Sequence, residues 1–199
     1  MKRTAILIAA LAGALLASQA QAQEPGQGYF GIGFGAATTD GTSPYGNTLD
    51  EDTAGGFKVY GGSMWERFGI ELGFYNLGKY DVNFGGAKIA ETKTAAVAVS
   101  GVLATPLGGG YSFHAKIGLA FTQAEFSCIS LCGTGNPVLA DTKKRGTSGL
   151  LGIGLGARIG QNVLARIDYE HFGSVHHQIS TTEYTDGYDI FAVSLQFNF

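Results

Sequence analysis

The segment at 191–199 alternates strictly between large apolar side chains and small or polar ones. Successive side chains of a β-strand point to opposite faces, so this segment has one apolar and one polar face. In a soluble protein such a strand would be an adhesive sheet edge, whereas in a membrane barrel it can face lipid and close the barrel. Its apolar positions are Phe191, Val193, Leu195, Phe197 and Phe199.

The N-terminus indicates where the chain is sent. Two basic residues precede an apolar run over 5–17, and the small-residue site Ala20-Gln21-Ala22 follows. This is the layout of a secretory signal peptide, and the run is short for a membrane-spanning anchor. We predict a signal peptide over 1–22 and one domain over 23–199. Acidic residues outnumber basic ones by 16 to 13 in the whole chain, which argues against a nucleic-acid partner.

The rest of the sequence points to an all-β fold. No stretch of 18 apolar residues follows residue 22, so no membrane-spanning helix is predicted. Glycine is abundant, at 32 of 199 residues, and the glycines fall within alternating patterns rather than in low-complexity tracts. Such a chain fits either a soluble sandwich or barrel, or a barrel of the bacterial outer membrane.

Period-two alternation predicts eight strands, each close to the length that crosses a bilayer when tilted. The connections after the second, fourth and sixth strands are short, and the other four are long and polar, which is typical of outer-membrane barrels. The predicted strands are 29–37, 57–65, 67–76, 94–104, 111–121, 150–159, 162–172 and 191–199, and the long loops are 38–56, 77–93, 122–149 and 173–187.

The charged face of these strands decides their orientation. That face also carries most of the glycines, while the opposite face is almost purely aliphatic and aromatic. An eight-stranded barrel has an interior just wide enough for its side chains, so glycines and paired charges fit inside it and a full set of Phe and Leu does not. We therefore predict an all-β, eight-stranded antiparallel up-and-down transmembrane β-barrel. The predicted lumen charges are Lys58, Glu71, Lys116, Arg158, Arg166, Asp168 and Glu170.

At this point the chain resembles a known family. The segments 68–80 and 165–172, together with the terminal Phe199, resemble the small outer-membrane β-barrels that include the OmpA-type transmembrane domain and opacity-type surface proteins. The resemblance spans the mature chain and implies an integral outer-membrane location at the Gram-negative cell surface. It implies contact with outer-membrane lipid and lipopolysaccharide. It also implies that the terminal strand is the signal read by the outer-membrane assembly machinery.

The lumen charges have two interpretations. A charge in a narrow lumen must be paired or hydrated, because burying it unpaired is costly. The set could be an ion-pair plug that locks the barrel, or a gate in which exchanged partners open a thin water path. The predicted function is therefore a structural or surface-interaction role with at most small gated conductance. The alternatives are a narrow porin-like channel and a loop-based adhesin.

A lipid A-modifying enzyme is the remaining and less favoured alternative. His171, Ser174 and Glu170 are close in sequence, but His171 has the lipid-facing parity and Glu170 the inward one, so they do not form a triad. His176 and His177 are adjacent and point apart in an extended chain, which disfavours a chelate. No catalytic residue, metal or cofactor is predicted.

The long loops are the expected seat of any specific binding, because loops on a rigid scaffold usually carry it. In the third loop, an oxidising periplasm favours a disulfide between Cys128 and Cys132. The acidic run of the first loop is an ordinary solvated surface without the spacing of a metal site. We expect a monomer, with an external ligand, if any, bound by the four loops.

Overall fold

The computed structural model describes residues 26–39, 53–84, 87–128, 142–179 and 182–199. No helix within these ranges is long and apolar enough to span a membrane. The described residues form eight strands, which are β1 (Gln27–Thr39), β2 (Ala54–Trp65), β3 (Phe68–Phe84), β4 (Ala87–Gly108), β5 (Tyr111–Cys128), β6 (Thr142–Arg158), β7 (Val163–Ile179) and β8 (Thr182–Asn198).

The strands follow chain order around a closed antiparallel barrel, in which β8 pairs back onto β1. In the closing ladder Phe30 lies opposite Phe197, and Phe34 lies opposite Val193. Closure gives every strand two neighbours, which lipid demands because it offers no water to an unpaired backbone edge. The predicted eight-stranded up-and-down barrel is confirmed.

The two faces of the wall differ as the alternation predicts. The outward-facing apolar residues form a continuous apolar belt, whose members include Phe34, Phe68, Ile117, Leu155 and Val193, all more than half exposed. All five apolar positions of the C-terminal strand lie in this belt, with Phe199 67% exposed. Such a surface is stable against acyl chains and would aggregate in water, so the belt marks the lipid-facing zone.

One end of the barrel carries the short connections, which we call the short-turn end. Glu66 adopts a φ of 54° in the turn between β2 and β3, and Gly108, Gly109 and Gly110 have positive φ between β4 and β5. The turn between β4 and β5 is shorter than the predicted turn over 106–110, because β4 continues to Gly108. In outer-membrane barrels short turns face the periplasm and the other end faces outward.

The opposite end, the long-hairpin end, differs from the prediction. Strand β3 continues to Phe84 and strand β4 begins at Ala87, so most of the predicted loop 77–93 is strand. The predicted loop 173–187 is likewise mostly strand, and the loops 38–56 and 122–149 are shortened at both ends. Apolar-polar alternation is expected where one face of a strand meets lipid, and these extensions continue past the apolar belt, so the pattern that reveals a strand is lost.

On the long-hairpin side, the pairing of the barrel wall is interrupted along two seams. The β2–β3 ladder ends at the pair Phe57 and Asn76, and the β6–β7 ladder ends at Leu150 and Phe172. Between the seams β3 to β6 stay paired as one raised sheet, up to Phe84 opposite Ala87. The β7–β8 hairpin rises separately, to Ile179 opposite Thr182.

Candidate functional site

Six of the seven predicted lumen charges meet inside the barrel. Their side chains come from β2, β3, β5 and β7, and each is at most 5% exposed. Within the described lumen, three cations and three carboxylates balance to zero net charge. The six residues, which we call the charge ring, are Lys58, Glu71, Lys116, Arg166, Asp168 and Glu170.

Arg158 was predicted to join them and does not. It is the last residue of β6 and its side chain is exposed. Its ladder partner, Leu164, is the last one in the β6–β7 register. The alternation of β6 is correct through Gly156, but Arg158 lies past the point where the barrel encloses a side chain.

The charge ring is a closed circuit of alternating charges. Lys116 contacts both Glu71, at 2.7 Å, and Glu170. Lys58 joins Glu170, at 3.2 Å, to Asp168, at 2.7 Å. Arg166 completes the circuit, because it lies 2.9 Å from Asp168 and 3.5 Å from Glu71. Each charge therefore has two opposite neighbours, which is how a low-dielectric site can hold six ions.

Tyr60 lies at the centre of the three cations. Its ring centroid is 5.2 Å from Lys58 Nζ, 5.7 Å from Lys116 Nζ and 5.1 Å from Arg166 Cζ. The negative face of an aromatic ring attracts cations, and the attraction is strongest where water is excluded. The Tyr60 hydroxyl donates to Ser194 at 3.2 Å. Tyr60 shares the inward face of β2 with Lys58, and this alternation is the signal that could have identified it.

Two glycines make room for the ring. A Cβ on Gly31 would overlap the Tyr60 side chain, and a Cβ on Gly154 would overlap the Asp168 carboxylate. Around the ring, Tyr29 donates to Glu71 at 3.1 Å and Arg166 donates to Gln196 at 2.8 Å. The inward glycines are thus the spaces into which the large lumen side chains extend.

A second layer closes the lumen on the long-hairpin side of the charge ring. We call it the apolar plug, and it consists of the fully buried side chains Tyr75, Leu77, Leu150, Phe172 and Ile190. The rings of Tyr75 and Phe172 meet edge to face with centroids 5.0 Å apart. Within the described residues the Tyr75 hydroxyl has no hydrogen-bond partner. Sequence reasoning missed this layer, because Leu150 and Phe172 are the end residues of the predicted strands 150–159 and 162–172, although they lie in the middle of β6 and β7.

A comparison with protein families settles the relationship. The chain matches the OmpA-like transmembrane domain over residues 23–199. The protein belongs to the OmpA-like transmembrane domain family. It is an integral outer-membrane β-barrel. A comparison with curated protein sequences finds no relative.

Solved structures share the fold of this OmpA-like barrel at low sequence identity. Neisserial surface protein A has a TM-score of 0.64 at 12% identity, over 86% of this chain and 97% of that one. OprG from Pseudomonas aeruginosa has a TM-score of 0.57 at 14% identity, over 88% and 97%. Ail, the attachment invasion locus protein of Yersinia pestis, has a TM-score of 0.52 at 15% identity, over 87% and 99%.

The OmpA-like barrel also has a polar cluster on its outer wall. His171 Nδ1 lies 2.8 Å from Asp189 Oδ1, and the Tyr169 hydroxyl donates to the same oxygen at 2.8 Å. The acid beside His171 is thus Asp189 of β8, while Glu170 points inward as predicted. The Ser174 side chain lies outside the described residues, so this histidine and acid have no described nucleophile beside them.

The other candidate ligands of this OmpA-like barrel lie outside the described side chains. Cys132 is outside the described residues, so the disulfide with Cys128 stays a prediction. The same holds for the side chains of His176 and His177. In the described ranges, no group of three His, Cys, Asp or Glu side chains could hold a metal ion.

Two tyrosines of this lumen provide opposite stability predictions. Tyr29→Phe removes a hydrogen bond to a buried carboxylate and should lower the free energy of unfolding by about 1.5–3 kcal/mol. Tyr75→Phe removes a buried hydroxyl that has no described partner, so stability should stay equal or rise. Urea unfolding of both variants in lipid vesicles measures the difference. An equal loss in both would contradict the hydrogen-bond assignment.

Proposed function

We propose that this protein is a sealed outer-membrane barrel with a structural and surface-interaction role. The observation that carries the proposal is the presence of two closures in series. The charge ring fills one level of the lumen, and the apolar plug fills the level above it. Water would have to pass both, and each is built from side chains that pack against one another rather than line a path.

The gated channel is the second candidate, because ion pairs in a ring can exchange partners. Lys116 already contacts two carboxylates, Glu71 and Glu170. Such an exchange would leave the apolar plug in place, since no charged residue belongs to it. The plug therefore favours a locked lumen over a gate.

The surface role rests on the raised strands. The sheet of β3 to β6 and the hairpin of β7 and β8 continue past the apolar belt toward the outside. A rigid barrel that carries them would present the segments 38–56, 77–93, 122–149 and 173–187 to the cell surroundings. We propose that a monomer presents them, within outer-membrane lipid and lipopolysaccharide.

Delivery and assembly complete the proposal. A signal peptide over 1–22 would direct the chain out of the cytoplasm. The resemblance suggests that the assembly machinery recognises the C-terminal strand, and Phe191, Leu195 and Phe199 are exposed on its lipid side. We propose no catalytic role, because Glu170 is buried in the charge ring and does not share the outward face of His171.

Solute permeation separates a sealed barrel from a porin. Proteoliposomes that contain the refolded protein should not swell in isotonic glycine or arabinose faster than protein-free liposomes. A general porin inserted at the same protein-to-lipid ratio serves as the positive control. Swelling that increases with the amount of inserted protein would overturn the sealed lumen and support the channel.

A further inference from the structure

The seam between β6 and β7 leaves one edge of β6 open on the long-hairpin side. The β6–β7 ladder ends at Leu150 and Phe172, although β6 begins at Thr142 and β7 continues to Ile179. Over 142–149, β6 pairs with β5 alone among the described strands. Alternate residues of this segment therefore direct an N–H and a C=O away from β5, toward the seam. We call the segment 142–149 the β6 edge.

An irregularity in β7 accompanies the opening of this seam. The register of β7 against β8 shifts between Phe172 and Val175, a step that contains Gly173 and Ser174. Extra residues in one strand of a pair bend that strand. At the base of the seam the two strands are still close, because a Cβ on Gly173 would lie 3.6 Å from the Gly149 carbonyl oxygen. From Val175 onward β7 pairs with β8 and no longer with β6.

The β6 edge lies beyond the apolar belt of its own strand. Toward the long-hairpin end, Leu151 is the last large apolar residue on the outward face of β6. The outward positions that follow are small or polar and are all exposed, namely Gly149, Thr147, Arg145 and Lys143. In outer-membrane barrels the strand ends opposite the short turns face the outside. The β6 edge is therefore within reach of a macromolecule outside the cell.

Both strands that border the seam lack acidic residues. Neither 142–149 nor 173–179 contains Asp or Glu, and the β6 edge carries three consecutive basic residues. Carboxylates occur one strand further away, as Glu125 on β5 and as Glu183 and Asp186 on β8. A strand added to the β6 edge would lie about 5 Å from β6 and about 10 Å from β5. Salt largely screens exposed charges at the longer distance, so the basic residues are the charges that such a strand meets.

Arg145 has no carboxylate partner among the described side chains. It donates to the neutral amide oxygen of Gln123 at 3.3 Å, which leaves its charge unbalanced. Lys143, by contrast, pairs with Glu125 at 2.6 Å. A guanidinium can form two parallel hydrogen bonds with one carboxylate. An arriving carboxylate can therefore pair with Arg145 without displacing an existing ion pair.

The basic residues also determine which strand can join this edge. Charged residues, and lysine above all, protect open sheet edges against pairing with an identical edge. Two β6 edges would bring two basic runs together, and like charges directly opposite one another destabilise a strand pair. The β6 edge of a second copy is therefore a poor occupant. A strand that carries carboxylates satisfies both the open backbone groups and the unbalanced charge.

We propose that the β6 edge binds an extended acidic segment of another protein by β-strand addition. The backbone of that segment would extend the sheet of β3 to β6 by one strand, and its carboxylates would face Lys143 and Arg145. In this mode main-chain hydrogen bonds supply affinity, and side chains at alternate positions supply selectivity. The proposal rests on the surface-interaction role proposed above, and it specifies the chemistry of the partner.

Binding of synthetic peptides to the full refolded protein in lipid nanodiscs tests this proposal. The first probe is a peptide of alternating Glu and Val, long enough to span 142–149. The second is the same peptide with every backbone amide methylated, and the third is a peptide of alternating Lys and Val. Fluorescence anisotropy should show that the Glu–Val peptide binds at least about tenfold more tightly than either of the others.

Amide hydrogen exchange followed by NMR locates the contact. In the free protein alternate amides of 142–149 should exchange rapidly, and the bound Glu–Val peptide should slow them. Arg145→Glu should remove the preference for Glu–Val over Lys–Val. Lys93→Glu is the matched control, because Lys93 is an exposed cation of the same sheet and lies on β4, two strands from the edge. This variant should keep the preference of the wild type.

Four results would overturn the β6 edge as a binding site. Undiminished binding of the methylated peptide would show that charge alone holds it, and an equal loss in Lys93→Glu would show that the charge is not that of the edge. Slow exchange along all of 142–149 in the free protein would show that the edge is already paired. Protection confined to other raised segments would exclude the edge and leave the surface role standing. Proteoliposome swelling involves no peptide, so the sealed lumen can fail independently.

Discussion

Glu71→Gln should lower the free energy of unfolding of this barrel by about 3–5 kcal/mol, the cost of removing one partner from a buried ion pair. Glu71 contacts Lys116 at 2.7 Å and Arg166 at 3.5 Å, and it accepts a hydrogen bond from Tyr29. The neutral amide keeps the shape of the side chain but leaves three cations facing two carboxylates. The destabilisation therefore comes from unbalanced charge in the lumen rather than from a cavity.

Two further variants separate this cause from a general loss of packing. Glu125→Gln breaks an exposed pair with Lys143 and should cost less than about 1 kcal/mol. Glu71→Gln/Lys116→Gln restores neutrality, so its loss should be smaller than the sum of the two single losses. Urea unfolding in lipid vesicles can be followed through Trp65, the single tryptophan of the chain. A loss below about 1 kcal/mol for Glu71→Gln would contradict the charge ring.

The membrane-embedded half of the fold could be predicted from the sequence, because each strand faces lipid on one side and the lumen on the other. Lipid selects large apolar side chains at alternate positions, as at Phe191 and Val193, while the lumen selects glycine and polar residues between them. This alternation identified all eight strands and placed Lys58 and Glu71 on the inward face. The same contrast set the orientation of the wall.

The raised strands could not be predicted in this way. Above the belt both faces of β3 and β4 leave the lipid, so the segment 87–93 carries no period-two contrast. Its strand pairing with 79–84 depends on backbone hydrogen bonds, which the side-chain pattern does not report. The irregularity at Gly78 shifts the register between β3 and β4 as well.

The charge ring was predictable as a set but not as a circuit. Parity placed six charges inside, yet which cation meets which carboxylate depends on the stagger between β2, β3, β5 and β7. Arg158 shows the limit of parity, because it has the inward phase and lies beyond the enclosed part of the barrel. Tyr60 and Phe172 show another limit, since an inward aromatic can join a cation cluster or close the lumen, and only the packing distinguishes the two.

Ion conductance should depend on both closures together, which is the second large effect expected from this structure. Removing the ring carboxylate in Glu71→Gln leaves the apolar plug intact, so the variant should stay silent. Tyr75→Ala/Phe172→Ala opens the plug but leaves the charge ring, and should also stay silent. Combining the three substitutions should produce discrete current steps, because water can then enter at both levels. Retained resistance of each barrel to unfolding in unheated SDS serves as the folding control.

Single-channel recording in a planar bilayer tests the sealed lumen most directly. The wild type and Glu71→Gln, each inserted as folded protein, should show no steps above the bare bilayer at low or high salt. This comparison does not depend on whether the combined variant folds. Discrete steps from wild-type protein, or steps that appear in Glu71→Gln while Tyr75 and Phe172 are unchanged, would show that the charge ring is a gate and would contradict a lumen closed by two layers.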